Sequence, residues 1–337
     1  MYVLILLRSR IFFGFILLLP LNGHAQTGHR FLFKRGLMGT QFSVTLYAED
    51  SLLAQTAYGR VSARMDSLNQ IMSDYLDGSE INRLSQTSGS GQCVPVSQPL
   101  YDVLQKAAQI ARLSEGRFDP TIGPLSQLWR RAVRQRAFPS ATERRRARRS
   151  VGYRFMTFDS ATQSVRLVRA NMRLDVGGIG QGYAVDEAAT VLKQAGIQSF
   201  LLDLGGDVLA GSPPPDRPEG WRIDVGSGTN SRADPADTLV ALLKNAAITT
   251  SGDTYRQFTI GNRRYSHIMN PRSGLGLRHF VRATVMAPEG YRADALTKVF
   301  SVVSPQKRRA LVRRFPDAKV WILENKEGRL RRWQSAQ

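Results

Sequence analysis

Four oxygen-bearing positions in this chain are of the type that hold a hard cation: Asp294 and Thr297 in ADALTK, Asp253 in a Ser-Gly-Asp turn, and Asp207 after a Gly pair. Carboxylates and hydroxyls suit Mg²⁺ better than a transition metal. With only 4 His, a single Cys and no HExxH, zinc has no ligand set. The plain alternative for Asp294 is a cap or dipole partner early in a helix. The second chemistry-bearing stretch is 174–206, LDVGGIGQGYAVDEAATVLKQAGIQSFLLDLGG. Its glycines expose bare N–H groups next to a helix N-terminus, an arrangement suited to phosphate or pyrophosphate. Asp175 adds a carboxylate for a ligand amide or hydroxyl, or for a bound cation. The dinucleotide fingerprint fails, because its third glycine falls on Tyr183, and neither a P-loop nor a G-x-S-x-G elbow is present.

Several elements must position these groups. Residues 31–47 alternate as two strands broken at 36–40, with Met38 in or beside the break. Residues 51–72 carry apolar side chains at helical spacing, and Ser79 caps a short helix beyond the Asp77-Gly78 turn. Tyr75 falls on the connection between them, where an aromatic face packs locally or stacks on a planar ligand. A helix over 99–114 ends at Gly116. In the following RFDPTIGPLSQLW, Asp119 directly before Pro120 reads as a turn acid or cap. Strands lead to the glycine stretch, whose helix starts near Tyr183 and whose apolar strand closes at Gly205-Gly206. Further strands follow, with a hairpin at Gly261-Asn262, and His267 precedes the Asn270-Pro271 turn. A strand, a helix over 291–301 with Asp294 in its first turn, and a final helix and strand complete the chain. There is no internal repeat and no long linker. The mixed order predicts an α+β fold: a single unit of two interlocked α/β lobes with mostly antiparallel sheets.

At 337 residues, 42% hydrophobic and 22% charged, the composition is that of a globular protein. Arg8 and Arg10 precede the apolar run IFFGFILLLPL, and Gly23-His24-Ala25 offers small residues at cleavage spacing. This predicts a signal peptide over 1–25, a mature domain over 26–337, and export to the periplasm or cell envelope. An uncleaved N-terminal anchor is the weaker alternative, since the run is short for a bilayer and holds a proline. The lone Cys93 supplies no internal disulfide and reads as a small buried or half-buried residue. A net charge of +20 raises nucleic acid as a partner, but no aromatic-interleaved basic motif appears, and nucleic acid is not expected. Much of the excess lies in RRAVRQRAFPSATERRRARRS (130–150), read as a solvated helix pair about Pro139. Peripheral contact with anionic lipid or an acidic partner is the sharper reading of that run.

Eight blocks occur in order: MGTQF, MSDYLDGSEINRLS, GRFDPTIGPLSQLW, LDVGGIGQGYAVD, LDLGGD, TTSGD, YSHIMNPRSG and ADAL. Together they resemble the ApbE family of FAD:protein FMN transferases over nearly all of the mature chain. The resemblance implies an FAD cleft between the lobes, with Met38 and Tyr75 near the flavin or adenine, and with Arg117, Phe118, Asp119, Asp175, Gln181 and Ile268 completing the pocket. It implies Mg²⁺ beside the pyrophosphate, held by the Gly178 carbonyl, Asp294 and a hydroxyl from the next helical turn, here Thr297. The implied reaction moves the FMN half of FAD onto a Thr or Ser hydroxyl of an acceptor flavoprotein, a subunit of an extracytoplasmic or membrane redox complex, with AMP leaving. Asp294 and His267 are its expected catalytic residues, the imidazole taking the hydroxyl proton or bonding the phosphate.

Three positions differ from the family pattern. Gln181 stands where Lys or Glu is usual, and Asn270 where Asp is common before the Pro. Lys298 stands where Thr often follows the helical Asp by four residues; its ammonium either repels Mg²⁺ or takes over part of its charge. Two rival activities share the same motifs: an FAD pyrophosphatase using water as nucleophile, and a non-catalytic FAD-binding protein.

Overall fold

The computed structural model describes residues 28–225, 239–252, 257–260, 263–326 and 328–335. The expected leader, Asp253 and the Gly261-Asn262 turn lie outside them. The chain opens with β1 (His29–Leu37) and β2 (Thr40–Ala48), then α1 (Ser51–Met72), α2 (Glu80–Gln86), β3 (Val94–Pro95) and α3 (Gln98–Leu113). There follow α4 (Gly123–Gln135), α5 (Ala141–Arg149), β4 (Met156–Asp159), β5 (Ser164–Leu167), α6 (Gly180–Gln194), β6 (Phe200–Leu204), β7 (Asp207–Ala210) and β8 (Trp221–Val225). The rest comprises β9 (Leu239–Leu243), β10 (Ala246–Gly252), β11 (Gln257–Ile260), β12 (Arg263–Ser266), β13 (Met269–Asn270), β14 (Leu275–Gly276), β15 (Phe280–Ala287), α7 (Gly290–Val302), α8 (Pro305–Val312), β16 (Lys319–Lys326) and β17 (Arg329–Gln334).

One eight-stranded sheet, ordered β1-β2-β6-β7-β10-β15-β16-β17, is antiparallel at every pairing. Period-two burial makes it: Phe42, Val44, Leu46 and Ala48 of β2, and Val281, Ala283, Val285 and Ala287 of β15, all point into the main core. That face is covered by α1, α6 and α7, of which α6 and α7 also pack on each other. Burying each large side chain there contributes about 1.5–3 kcal/mol. The opposite face carries a smaller core of Val208, Ala210 and Ile248 under Trp221, Val225 and Leu243 of the β8–β9 hairpin.

The chain between α1 and α6 forms the second lobe, with α2 to α5 and a three-stranded sheet β3-β5-β4. It interlocks with the first where α3 reaches α1 and α7. The α+β architecture of mostly antiparallel sheets is therefore the one the element order predicts. Side-chain caps set the helix starts: Asp50 on Leu53 N at 2.8 Å, Ser79 on Asn82 N at 3.3 Å, and Ser97 on Leu100 N at 3.5 Å. Two local expectations change. Cys93 is exposed, in the turn-rich segment before β3. The glycine-stretch helix begins at Gly180, three residues ahead of Tyr183. Among the described residues no helix is long and apolar enough to cross a membrane.

Candidate functional site

The glycine stretch enters the site alongside the RFDP segment. Asp175 N donates to the Pro120 carbonyl at 2.8 Å and Gly123 N to the Arg173 carbonyl at 3.2 Å, so 120–123 and 173–175 run together as one wall. Gly123 is required there, because a β-carbon would stand 2.6 Å from the Arg173 carbonyl oxygen. The Asp175 carboxylate accepts from Gly177 N at 2.9 Å and from Arg130 Nη2 at 3.2 Å. Arg130 also pairs with Asp74, and its guanidinium lies over the Tyr75 ring, 4.1 Å from the centroid. Tyr75 is 75% exposed, which leaves its ring available to a planar ligand. Burial first, and then the neighbouring Asp175 charge, push the Asp74 carboxyl up to about 6, against the pull of Arg130.

The next three residues of the wall divide their work. Arg117 is buried and donates to the Ser114 carbonyl at 2.8 Å and to Glu115 at 3.2 Å. The buried Asp119 carboxylate accepts from Thr121 N at 2.9 Å, Thr121 Oγ1 at 2.7 Å and Tyr153 N at 3.0 Å; burial pushes its pKa up while these donors pull it down. Both side chains therefore hold the turn itself in shape. Phe118 between them packs on the glycine turn, with its ring 3.2 Å from where a Gly178 β-carbon would stand.

On the other side of Gly178 lies α7. Gly182 and Gly290 let α6 and α7 cross closely enough for Gly182 N to donate to Asp294 Oδ2 at 3.1 Å. In return, Asp186 of α6 caps α7, accepting from Gly290 N at 2.6 Å and Tyr291 N at 2.9 Å. The single Thr297 hydroxyl proton is shared between the Asp294 carbonyl, 2.7 Å from Oγ1, and Ser251 Oγ of β10, at 2.8 Å. Lys298 Nζ pairs with Asp294 Oδ1 and donates to Ser251 Oγ at 2.8 Å. Its methylenes run past Gly178, 3.4 and 3.7 Å from the β-carbon position. One strand over, Asp207 is buried and accepts from Thr249 Oγ1 at 2.8 Å; burial and the Asp294 charge push its carboxyl up to about 8.

These donors do not fit Mg²⁺ as they stand. Gly178, Asp294 and Thr297 are brought together as expected, but both Asp294 oxygens and the Thr297 hydroxyl are already engaged, and the cation beside them is the Lys298 ammonium. Among the described residues no group of three His, Cys, Asp or Glu side chains forms a metal cluster. A six-oxygen magnesium shell does not share a carboxylate oxygen with an ammonium without displacing it.

The remaining expected residues come from three other segments. Met38 occupies the β1–β2 turn at φ +47°, and Thr40 beside it fills the space over Gly205, next to Asp207. Gln181 is half-buried in the first turn of α6. His267 is half-buried and Ile268 buried; Leu277 fixes their backbone, accepting from Ser266 N at 2.8 Å and donating to the Ile268 carbonyl at 3.0 Å. Tyr265 packs on Trp129 of α4, with ring centroids 5.1 Å apart, and Arg272 Nη2 donates to the Glu115 carbonyl at 2.8 Å, tying this loop to the RFDP segment.

The family profile described as ApbE matches residues 38–322. The chain belongs to the ApbE family. A Haemophilus influenzae protein named FAD:protein FMN transferase is 27% identical over 80% of this chain and 80% of its own length. One from Escherichia coli K12, of the same name, is 26% identical over 89% and 86%. The apo crystal structure of the Pseudomonas stutzeri flavinyl transferase ApbE superposes with a TM-score of 0.80 at 26% identity, covering 91% of this chain and 95% of that one.

Within this ApbE-family fold, three groups act through contacts that the sequence blocks do not give. Arg130 belongs by composition to the arginine run, yet it is half-buried and joins Asp74, Asp175 and Tyr75. Its signal was positional: it follows Trp129, a core residue of α4. The predicted helix pair about Pro139 is there as α4 and α5, but Arg130, Arg131, Arg134 and Arg146 line a groove beside Tyr75, so the run is more than a solvated face. Ser251 and Asp186 are reached only through strand order and helix crossing.

Proposed function

We propose that this chain transfers the FMN moiety of FAD to a Thr or Ser hydroxyl of an acceptor flavoprotein. The hydroxyl oxygen attacks the FMN-side phosphorus of the pyrophosphate, the bond to the bridging oxygen breaks, AMP leaves, and the hydroxyl proton is released. The observation that carries this reading is the family match over 38–322, set on a wall where Tyr75, Arg130, Asp175, Phe118 and Gly178 adjoin the α6 N-terminus.

Each part has work suited to it. The Tyr75 ring, backed by Arg130, offers a stacking face to the isoalloxazine or adenine. The Asp175 carboxylate accepts from ring or ribose donors. The positive end of α6 and the arginine-lined groove draw the dianionic ligand and offset charge growing on the leaving phosphate. Phosphoryl transfer of this type rests mainly on positioning and charge, so no covalent enzyme intermediate is required. His267, on a loop fixed by Leu277, takes the hydroxyl proton. With the N-terminal sequence pattern of an exported protein, the acceptor is a subunit of an extracytoplasmic or membrane redox complex.

The test is intact mass. Purified full-length chain is incubated with FAD and a Thr-bearing acceptor domain, with and without Mg²⁺, and the acceptor is expected to gain one FMN as AMP appears in equal amount. Free FMN formed without acceptor would identify a pyrophosphatase instead. FAD bound but uncleaved under all conditions would identify a binding protein.

A further inference from the structure

The cation corner carries a charge that the site's expected chemistry does not need twice. Asp294 is 1% exposed, so its carboxylate requires a cationic or hydrogen-bonding partner on each oxygen. Gly182 N serves one oxygen and Lys298 Nζ the other. The ammonium is further held by Ser251 Oγ at 2.8 Å, and its stem is laid against Gly178. Around it stand the Asp294 carboxylate, the Gly178 turn and Thr297, the expected holders of a divalent ion, together with Ser251. Lys298 is 24% exposed, so it is not sealed in the core but reaches the rim. An ammonium has three N–H donors. Among the described residues two are committed, leaving one for a ligand oxygen.

We propose that Lys298 is the resident cation of this site: its ammonium stands where a divalent ion would stand, binds the ligand pyrophosphate directly, and lets the chain hold FAD without a divalent metal. The proposal rests on the FAD reading above for its ligand but not for its metal half. A tethered monovalent cation brings less charge than a divalent one, and the α6 N-terminus and the nearby arginines make up part of the difference. It also brings no coordination shell, so the phosphate geometry is set by hydrogen bonds alone.

Two measurements on the full chain test it. The first is FAD affinity, read by fluorescence anisotropy at fixed ionic strength in EDTA and in millimolar Mg²⁺. The wild-type Kd is expected to agree within about twofold between the two, whereas Lys298→Thr weakens binding about tenfold or more in EDTA and recovers in Mg²⁺. Lys298→Met, which keeps the stem and removes the charge, is also expected to weaken binding in EDTA, and thermal unfolding of both variants checks that each is folded when binding is read. The second needs no flavin: Mn²⁺ binding followed by electron paramagnetic resonance. The wild type is expected to bind no stoichiometric Mn²⁺, K298T to bind one, and K298T/D294N to lose it.

A wild-type chain that binds one Mn²⁺ lost in D294N, or whose FAD affinity drops about tenfold in EDTA, overturns the proposal. So does a K298T chain that binds FAD in EDTA as the wild type does, or that acquires no Mn²⁺ site. The two readings fail separately: absence of FMN transfer with the expected Mn²⁺ pattern sinks the transferase alone, and transfer that strictly needs Mg²⁺ sinks the lysine alone.

Discussion

Gly182 and Gly290 face each other where α6 crosses α7, and a β-carbon on Gly290 would stand 2.5 Å from the Gly182 carbonyl oxygen. The reverse β-carbon, on Gly182, would collide with the Gly290 carbonyl and approach the Asp294 β-carbon to 2.7 Å. Close approach is what puts Asp294 on Gly182 N and Asp186 on the α7 N-terminus. Gly182→Ala is therefore expected to push the helices apart and cost about 2–3 kcal/mol of unfolding free energy in a urea titration. FAD affinity should fall with it, since the same shift moves Asp294 and Lys298. An alanine variant of unchanged stability and affinity would show that the crossing is not needed.

Arg130 gathers three segments of the second lobe at one guanidinium, pairing with Asp74 and Asp175 while covering Tyr75. Arg130→Met keeps much of the stem but leaves two largely buried carboxylates facing each other. We expect a loss of about 1–3 kcal/mol in stability and a rise in KM for FAD larger than the fall in kcat. Arg130→Lys should rescue little, because an ammonium cannot fork to two carboxylates and stack on a ring together. Full rescue by lysine would reduce the role of Arg130 to a point charge.

How much of this was legible depends on how local each signal is. The α1 helix and strands β2 and β15 show in the sequence because their burial follows a 3.6 or 2.0 period. Strand β17, RLRRWQ, does not, since it is an edge strand exposed on both faces except at Trp333. The start of α4 hides behind Gly123-Pro124, which reads as a loop although proline is well placed in a first helical turn. At the site, the Asp294–Lys298 pair is visible as an i,i+4 spacing on one helix face. That Ser251 shares the ammonium is not visible, because it needs β10 to lie between β7 and β15.

The Asp74 carboxyl gives the wall a pH signature. Its folded pKa, about 6, lies above its unfolded value, so the folded chain binds the extra proton between pH about 4 and 6. The contribution of this group to stability is then greatest below pH about 4 and declines as pH rises through 6. Asp74→Asn, neutral throughout, lacks that slope. Relative to D74N, the wild type should lose about 1–2 kcal/mol between pH 4 and 7 in denaturant titrations. The other raised carboxyls, Asp119, Asp186 and Asp207, are common to both proteins and cancel. Parallel stability curves would mean that Asp74 titrates normally.

Far from the site, Arg308 of α8 and Glu324 of β16 form an ion pair of 2.5 Å in which both side chains are buried, at 3% and 6% exposure. Among the described residues Arg308 Nε has no hydrogen-bond partner, so the desolvation of the guanidinium is only partly offset. Removing one member leaves a buried charge alone, whereas removing both leaves an apolar gap that hydrophobic side chains can fill. Arg308→Met alone, or Glu324→Leu alone, is expected to cost about 3–5 kcal/mol, and the double variant to recover most of it. Because neither residue touches the wall of Asp175, Gly178 and Lys298, the folded double variant should keep wild-type FAD affinity. A double variant as unstable as the sum of the singles would show that the pair fixes the docking of α8 on β16 rather than merely neutralising itself.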